Sequence, residues 1–180
     1  MDILKVESCL CGDFIHGLFH AEMERYVFLD FDGVINTRRH KLALFNKGMP
    51  LRDDYGPFFD PKAVENLRDI VTTCNAGIII TSTWKYKGIE AMHELWAVRK
   101  MPGIMVDVTP TVPAAFMYTR GREINKWLAA NAPDNPMEYR YVIIDDGFDF
   151  MPEQEPYLVT TDPVVGLTPE DAEKVKALLL

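Results

Sequence analysis

Asp30 and Asp32 stand two residues apart at the end of an apolar run, in Phe28-Leu29-Asp30-Phe31-Asp32-Gly33-Val34-Ile35-Asn36. Two carboxylates this close resist ionising together unless a cation lies between them or one keeps its proton. Either outcome serves phosphoryl transfer, in which one acid attacks phosphorus and the other moves a proton. A plain Asp-Gly turn with two solvated acids is the competing account.

Two more run ends weigh against that account. Ile80-Thr81-Ser82-Thr83-Trp84-Lys85 brings hydroxyls to the end of a second apolar run. Hydroxyls and turn amides placed there can donate to phosphate oxygens, although Ser and Thr also serve as helix caps. Ile143-Ile144-Asp145-Asp146-Gly147-Phe148-Asp149 puts adjacent acids after a third run. Packing does not explain them. A hard, oxygen-seeking cation does, and a solvated turn is again the alternative.

Positioning these groups requires strands. Five short apolar runs, at 26–30, 78–82, 104–108, 141–145 and 157–161, read as buried parallel strands. Helical patterns separate most of them. Asp60-Pro61 is an N-cap followed by proline at the first helical position, and Val64, Leu67, Ile70 and Val71 supply a buried face that ends near Asn75-Ala76-Gly77. Further helices are expected over 88–99 and 123–131. The last is expected to start at Thr168-Pro169-Glu170-Asp171, a near capping box. Alternating strands and helices imply a doubly wound α/β sheet with right-handed crossovers. Ligands of such sheets bind beyond the carboxyl ends of the strands, where these acids and hydroxyls fall. Residues 36–59 form a long polar connection of the kind that is either functional or mobile.

The chain has 180 residues, 48% apolar and 26% charged, which suits one soluble domain with a sizeable core. A net charge of −8 argues against a strong nonspecific grip on nucleic acid, though not against a local basic patch. Cys9, Cys11 and Cys74 are too few, and odd in number, for a disulfide framework, and fit a reducing cytoplasm. No apolar run is long enough to span a bilayer, and no basic segment opens a signal peptide.

LDFDGVIN, IIITSTWK and YVIIDD, in this order, resemble motifs I, II and IV of the haloacid dehalogenase-like (HAD) superfamily. The finer pattern is similar to the HAD domain associated with Swiss-army-knife RNA repair proteins. It includes Phe59-Asp60-Pro61, Arg120-Gly121-Arg122-Glu123-Ile124-Asn125-Lys126-Trp127-Leu128 and Thr161-Asp162-Pro163-Val164-Val165-Gly166-Leu167-Thr168. The resemblance covers residues 25–180 as a hydrolase domain and leaves 1–24 as an N-terminal extension without an assigned role. It implies a Rossmann-like five-stranded sheet in the order 5-4-1-2-3, essentially capless.

It also implies a phosphatase using an aspartyl-phosphate, with Asp30 as nucleophile and Asp32 as acid and base. Magnesium would be held by the Asp30 carboxylate, the Asp32 carbonyl and Asp145, with Asp146 or Asp149 in direct or water-mediated contact. Thr81 or Ser82 would bind phosphoryl oxygens, Thr81 being favoured because it directly follows the strand. Arg120 stands where the superfamily commonly has a lysine, offering a planar fork in place of a point charge.

An open site suits a bulky phosphorylated substrate such as a nucleic-acid end, a protein phosphoresidue or a nucleotide. A small-metabolite phosphatase or phosphotransferase would use the same residues, and a non-catalytic phosphate-binding module is a further alternative. No membrane association and no obligate protein partner are expected. Trp84, Trp96 and Trp127 read as core or core-edge residues. Lys85 and Lys87 read as exposed lysines, and residues 38–41 as a basic cluster that is either solvated or meets a polyanion.

Overall fold

From Tyr26 onward the first strand, β1 (Glu24–Leu29), is buried on both faces, so it must be covered from both sides. The computed structural model, which describes residues 23–113 and 117–180, shows how. In chain order the elements after β1 are α1 (Arg38–Asn46), β2 (Arg52–Asp53), β3 (Gly56–Pro57), α2 (Pro61–Cys74) and β4 (Gly77–Ile80). They continue with α3 (Ile89–Val98), β5 (Met105–Val108), α4 (Thr119–Asn131), β6 (Tyr139–Asp145), β7 (Leu158–Thr160) and α5 (Pro169–Leu179). Five strands form one parallel sheet in the order β5-β4-β1-β6-β7, which is the expected Rossmann-like order.

Alternation along the strands divides the interior in two. Val27 and Leu29 of β1, Ile78 and Ile80 of β4, and Val142 and Ile144 of β6 face the larger core with α2, α3 and α5. Phe28, Ile79 and Ile143 face a smaller one with Ile124 and Trp127 of α4. Phe28 and Tyr26 meet the Trp127 ring edge-on, at 5.5 and 5.1 Å between centroids. The indole N–H of Trp127 donates to Asp107 at 2.7 Å, which satisfies its polar end.

The helices start and stop for local reasons. Asp60 caps α2 by accepting from the Lys62 amide, Pro61 opens it, and Asn75 closes it in the left-handed region. Thr168 and Asp171 form a reciprocal capping box for α5. Strand ends shift by a residue or two from expectation. β1 begins at Glu24, inside the segment expected to be extension; the rest of that segment, with Cys9 and Cys11, lies outside the described residues.

Two departures from expectation matter more. Helix α4 begins at Thr119, four residues before the predicted start, because Gly121 and Asn125 pack against Gln154 and the Asp149 carbonyl accepts from the Gly121 amide. Arg120 is thereby placed in the helix's first turn. Residues 36–59 are not an unstructured connection. They form α1, capped by Thr37, and the two-stranded hairpin β2–β3. Arg99 fastens the hairpin by donating to the Pro57 and Gly56 carbonyls at 2.6 and 2.9 Å and to Asp53 at 2.6 Å. Its guanidinium also lies over the rings of Phe58 and Phe59. The addition is too small to be a cap domain. Among the described residues, no helix is long and apolar enough to cross a membrane.

Candidate active site

Register brings the polar strand ends together. Leu29 is level with Ile80 on one side and Ile144 on the other, so the next rank places Asp30 between Thr81 and Asp145. Backbone bonds continue the pattern: the Asp30 amide donates to the Ile144 carbonyl and the Thr81 amide to the Leu29 carbonyl, both at 3.0 Å. By alternation the three side chains lie on the α4 face, above Phe28, Ile79 and Ile143.

Asp30, Asp145 and Asp146 each offer a carboxylate oxygen within 4.8 Å of the others. Asp30 and Asp145 are buried and Asp146 is half-buried. Gly33, at φ +76°, makes this possible, because a Cβ there would overlap the Asp146 carboxylate. Burial pushes the Asp145 carboxyl up to about 6, with Arg120 opposing the rise and Asp30 adding to it. Burial and the Asp30 charge raise Asp146 as well. Three oxygen donors at this spacing, with Asp145 and Asp146 resisting ionisation, fit a hard divalent cation.

Arg120 reaches the cluster from α4. Its Nη1 lies 3.0 Å from Asp30 Oδ1 and 2.6 Å from Asp145 Oδ2. One nitrogen serves both acids, so toward this pair the guanidinium acts as a bridging point charge and not as the fork expected. Burial disfavours its charge, but Asp145 and Asp30 outweigh that and hold it firmly protonated. Asp149 stays out of the cluster: its carboxylate accepts from the Arg120 amide at 3.2 Å.

The two candidate hydroxyls differ. Ser82 Oγ is engaged in capping a short 3-10 turn, accepting from the Trp84 amide at 3.5 Å. Thr81 Oγ1 is buried and has no hydrogen-bond partner. A buried hydroxyl without a partner is costly, and a ligand oxygen would relieve it.

Asp32 is exposed and is not one of the three clustered acids. Oδ2 accepts from the Trp84 indole N–H at 2.9 Å, and Oδ1 accepts from the Asn36 amide group. Trp84 thus combines two roles. Its ring packs on Phe31 and Phe59, while its polar edge fixes an acid. The sequence reading placed Trp84 at the core edge and missed this contact; the signal was its position two residues after Ser82.

Lys85 is also corrected. It is buried and ion-paired with Glu123, and it donates to Thr109 at 2.8 Å, tying the turn after β4 to α4 and the end of β5. Of the basic cluster, Arg39 pairs with Asp60 at 3.2 Å. Asp60 also accepts from Thr37, and these bonds hold its carboxyl below the usual range against the effect of burial.

The loop between Asp30 and Asn36 is clasped from outside. Phe31 O accepts from the amides of Val34, Ile35 and Asn36, and Ile35 O from Asp60. Residues 161–168 close over it. Thr161 Oγ1 donates to Gly33 O at 2.9 Å, and the Leu167 amide donates to Val34 O at 2.9 Å. Gly166, at φ +71°, lies so close to Val34 O that no Cβ would fit.

No curated protein and no solved structure matches the chain. The family model described as the HAD domain in Swiss Army Knife RNA repair proteins matches residues 26–172, a span that runs from β1 through the acid cluster into α5. With that span matched and the five-stranded parallel sheet in place, the chain belongs to this family of HAD domains.

Proposed function

We propose that this HAD domain is a magnesium-dependent phosphatase that hydrolyses a phosphate monoester through an aspartyl-phosphate on Asp30. One observation carries the reading: a buried acid, Asp30, shares a 4.8 Å cluster with Asp145 and Asp146 while Arg120 lies 3.0 Å from it. Asp30, Asp145 and Asp146 are the carboxylates that would hold the cation, with the Asp32 carbonyl as a further oxygen. When bound, Mg2+ supplies charge neutralisation at the phosphoryl oxygens and the nucleophile.

The remaining steps belong to side chains. Asp30 attacks phosphorus, and the P–O ester bond breaks. Asp32, as the acid, gives its proton to the departing oxygen. The resulting Asp32 carboxylate then takes a proton from water, whose oxygen attacks phosphorus and frees Asp30. Arg120, paired with Asp30, meets the phosphoryl charge, and Thr81 donates its unengaged hydroxyl to a phosphoryl oxygen.

The open site and the family's association with RNA repair favour a nucleic-acid end or another bulky phosphorylated substrate. A small metabolite is the other substrate class for the same residues. The buried free thiol of Cys74 supports a reducing compartment, the cytoplasm.

Phosphate release tests the reading. Turnover of para-nitrophenyl phosphate should require Mg2+, stop with chelator and vanish in Asp30→Asn. Activity that survives Asp30→Asn removes the nucleophile assignment. A panel of mononucleotides, sugar phosphates and 3′- or 5′-phosphorylated oligonucleotides then ranks the substrate classes.

A further inference from the structure

Asp32 forms one wall of a cleft of about 280 Å³ whose other lining is Thr83, Trp84 and Lys87 on one side and Arg52, Gly56 and Pro57 on the other. The hairpin β2–β3 and the turn after β4 thus line the cleft together, meeting where Trp84 lies against Gly56 and Lys87 reaches the Tyr55 carbonyl. Both walls are fixed. Arg99 anchors the hairpin through three hydrogen bonds, and the Trp84 ring lies against Gly56 so closely that a Cβ there would crowd it.

Three observations define what the cleft would take. Under the phosphatase reading, on which this inference rests, Asp32 gives its proton to the departing oxygen, so the leaving group lies on the Asp32 side. The cleft begins there. Its charged side chains other than Asp32 are both cations. Arg52 has no ion-pair or hydrogen-bond partner among the described residues, and Lys87 is held over the Trp84 ring at 5.1 Å with only a 3.4 Å contact to the Tyr55 carbonyl. Finally, a volume of about 280 Å³ gives room for one phosphosugar unit.

We infer that this cleft is a leaving-group subsite for a second phosphate, carried by the substrate one sugar away from the phosphate that is removed. Arg52 and Lys87 contact that second phosphate, and Thr83 offers a hydroxyl beside them. The chemistry is shared by a nucleoside bisphosphate and by a phosphorylated polynucleotide end.

Steady-state kinetics on the full chain with Mg2+ tests this. Adenosine 3′-monophosphate, adenosine 3′,5′-bisphosphate and a 3′-phosphorylated trinucleotide would be compared, with para-nitrophenyl phosphate as the reference. The second phosphate should raise kcat/KM about tenfold, equivalent to one charge-assisted contact, and the gain should shrink in high salt. Arg52→Gln combined with Lys87→Gln should collapse the ratio of bisphosphate to monophosphate toward one, while Arg68→Gln, on the exposed face of α2, leaves it unchanged. A trinucleotide that outruns the bisphosphate identifies a polynucleotide end; the reverse order identifies a free nucleotide.

A wild-type ratio within twofold of one, or a ratio that survives the double substitution, overturns the subsite. Failure to turn over any substrate, para-nitrophenyl phosphate included, sinks the phosphatase reading instead. In that case calorimetric titration with adenosine 3′,5′-bisphosphate decides the cleft: binding lost in the double variant supports it, and absent or unchanged binding overturns it.

Discussion

The indole nitrogen of Trp84 donates to Oδ2 of Asp32 at 2.9 Å across 52 positions of sequence. Under the phosphatase reading, Asp32 must both give and take a proton and needs a fixed direction, which this bond with that from Asn36 supplies. Trp84→Phe keeps an aromatic ring beside Phe31 and Phe59 but removes the N–H together with part of the bicyclic ring, so melting temperature is read alongside. A hydrogen bond to a charged group contributes about 1.5–3 kcal/mol, so kcat should fall at least about tenfold while KM moves little. Stopped-flow or steady-state rates read this. An unchanged kcat would show that the bond does not orient the acid.

Thr81 separates binding from folding. Its Oγ1 is buried and partnerless, so Thr81→Val removes an unsatisfied group from the folded chain. Melting temperature should hold or rise while kcat/KM falls about tenfold or more. Equal losses in both would make Thr81 a structural residue.

The buried pair of Lys85 and Glu123 should behave in the opposite way. Burial pulls the Lys85 ammonium toward its neutral form and Glu123 opposes this, so the two depend on each other. Removing one partner of such a pair costs about 3–5 kcal/mol. Urea unfolding of Glu123→Gln should show a loss of this size, and Lys85→Met with Glu123→Leu should recover much of it. A Glu123→Gln protein as stable as the wild type would contradict the pairing.

Under the proposed reading, acid and metal compete at Asp145. The folded chain holds its proton up to about 6, against 3.8 for an ordinary carboxyl. Stability from this group is therefore fully present below 3.8 and is lost as pH rises toward 6. A divalent cation requires the deprotonated form, so its effect grows over the same window. With chelator, wild type should lose stability relative to Asp145→Asn between pH 4 and pH 6.5. Added Mg2+ should raise the melting temperature by several degrees more at pH 7.5 than at pH 5. Equal metal shifts at both would place the cation elsewhere.

Strand positions were legible because a parallel sheet writes each buried strand as an unbroken apolar run, as at Val142-Ile143-Ile144, while the strand order came from the family resemblance. The acids were legible for a related reason: a charge directly after such a run has no packing explanation. Residues 36–59 were not legible. α1 buries only Leu44, so its sequence carries almost no helical stripe, and the hairpin is held by Arg99 from a distant helix. Lys85 misled because a lysine beside a loop is usually solvated; its partner Glu123 lies 38 positions away, on a helix whose start was misjudged. Asp32 was found as an acid, and the place of Trp84 two residues after Ser82 put it beside the site, but the bond between them depends on side-chain rotamers.

The clasp over the Asp30 loop has a consequence for synthesis. β1 is made before its fasteners: the bonds from Thr161 to Gly33 and from Leu167 to Val34 come from more than 120 positions later. A nascent chain stalled before residue 161 lacks both bonds, so the loop that carries Asp30 is unfastened until they form.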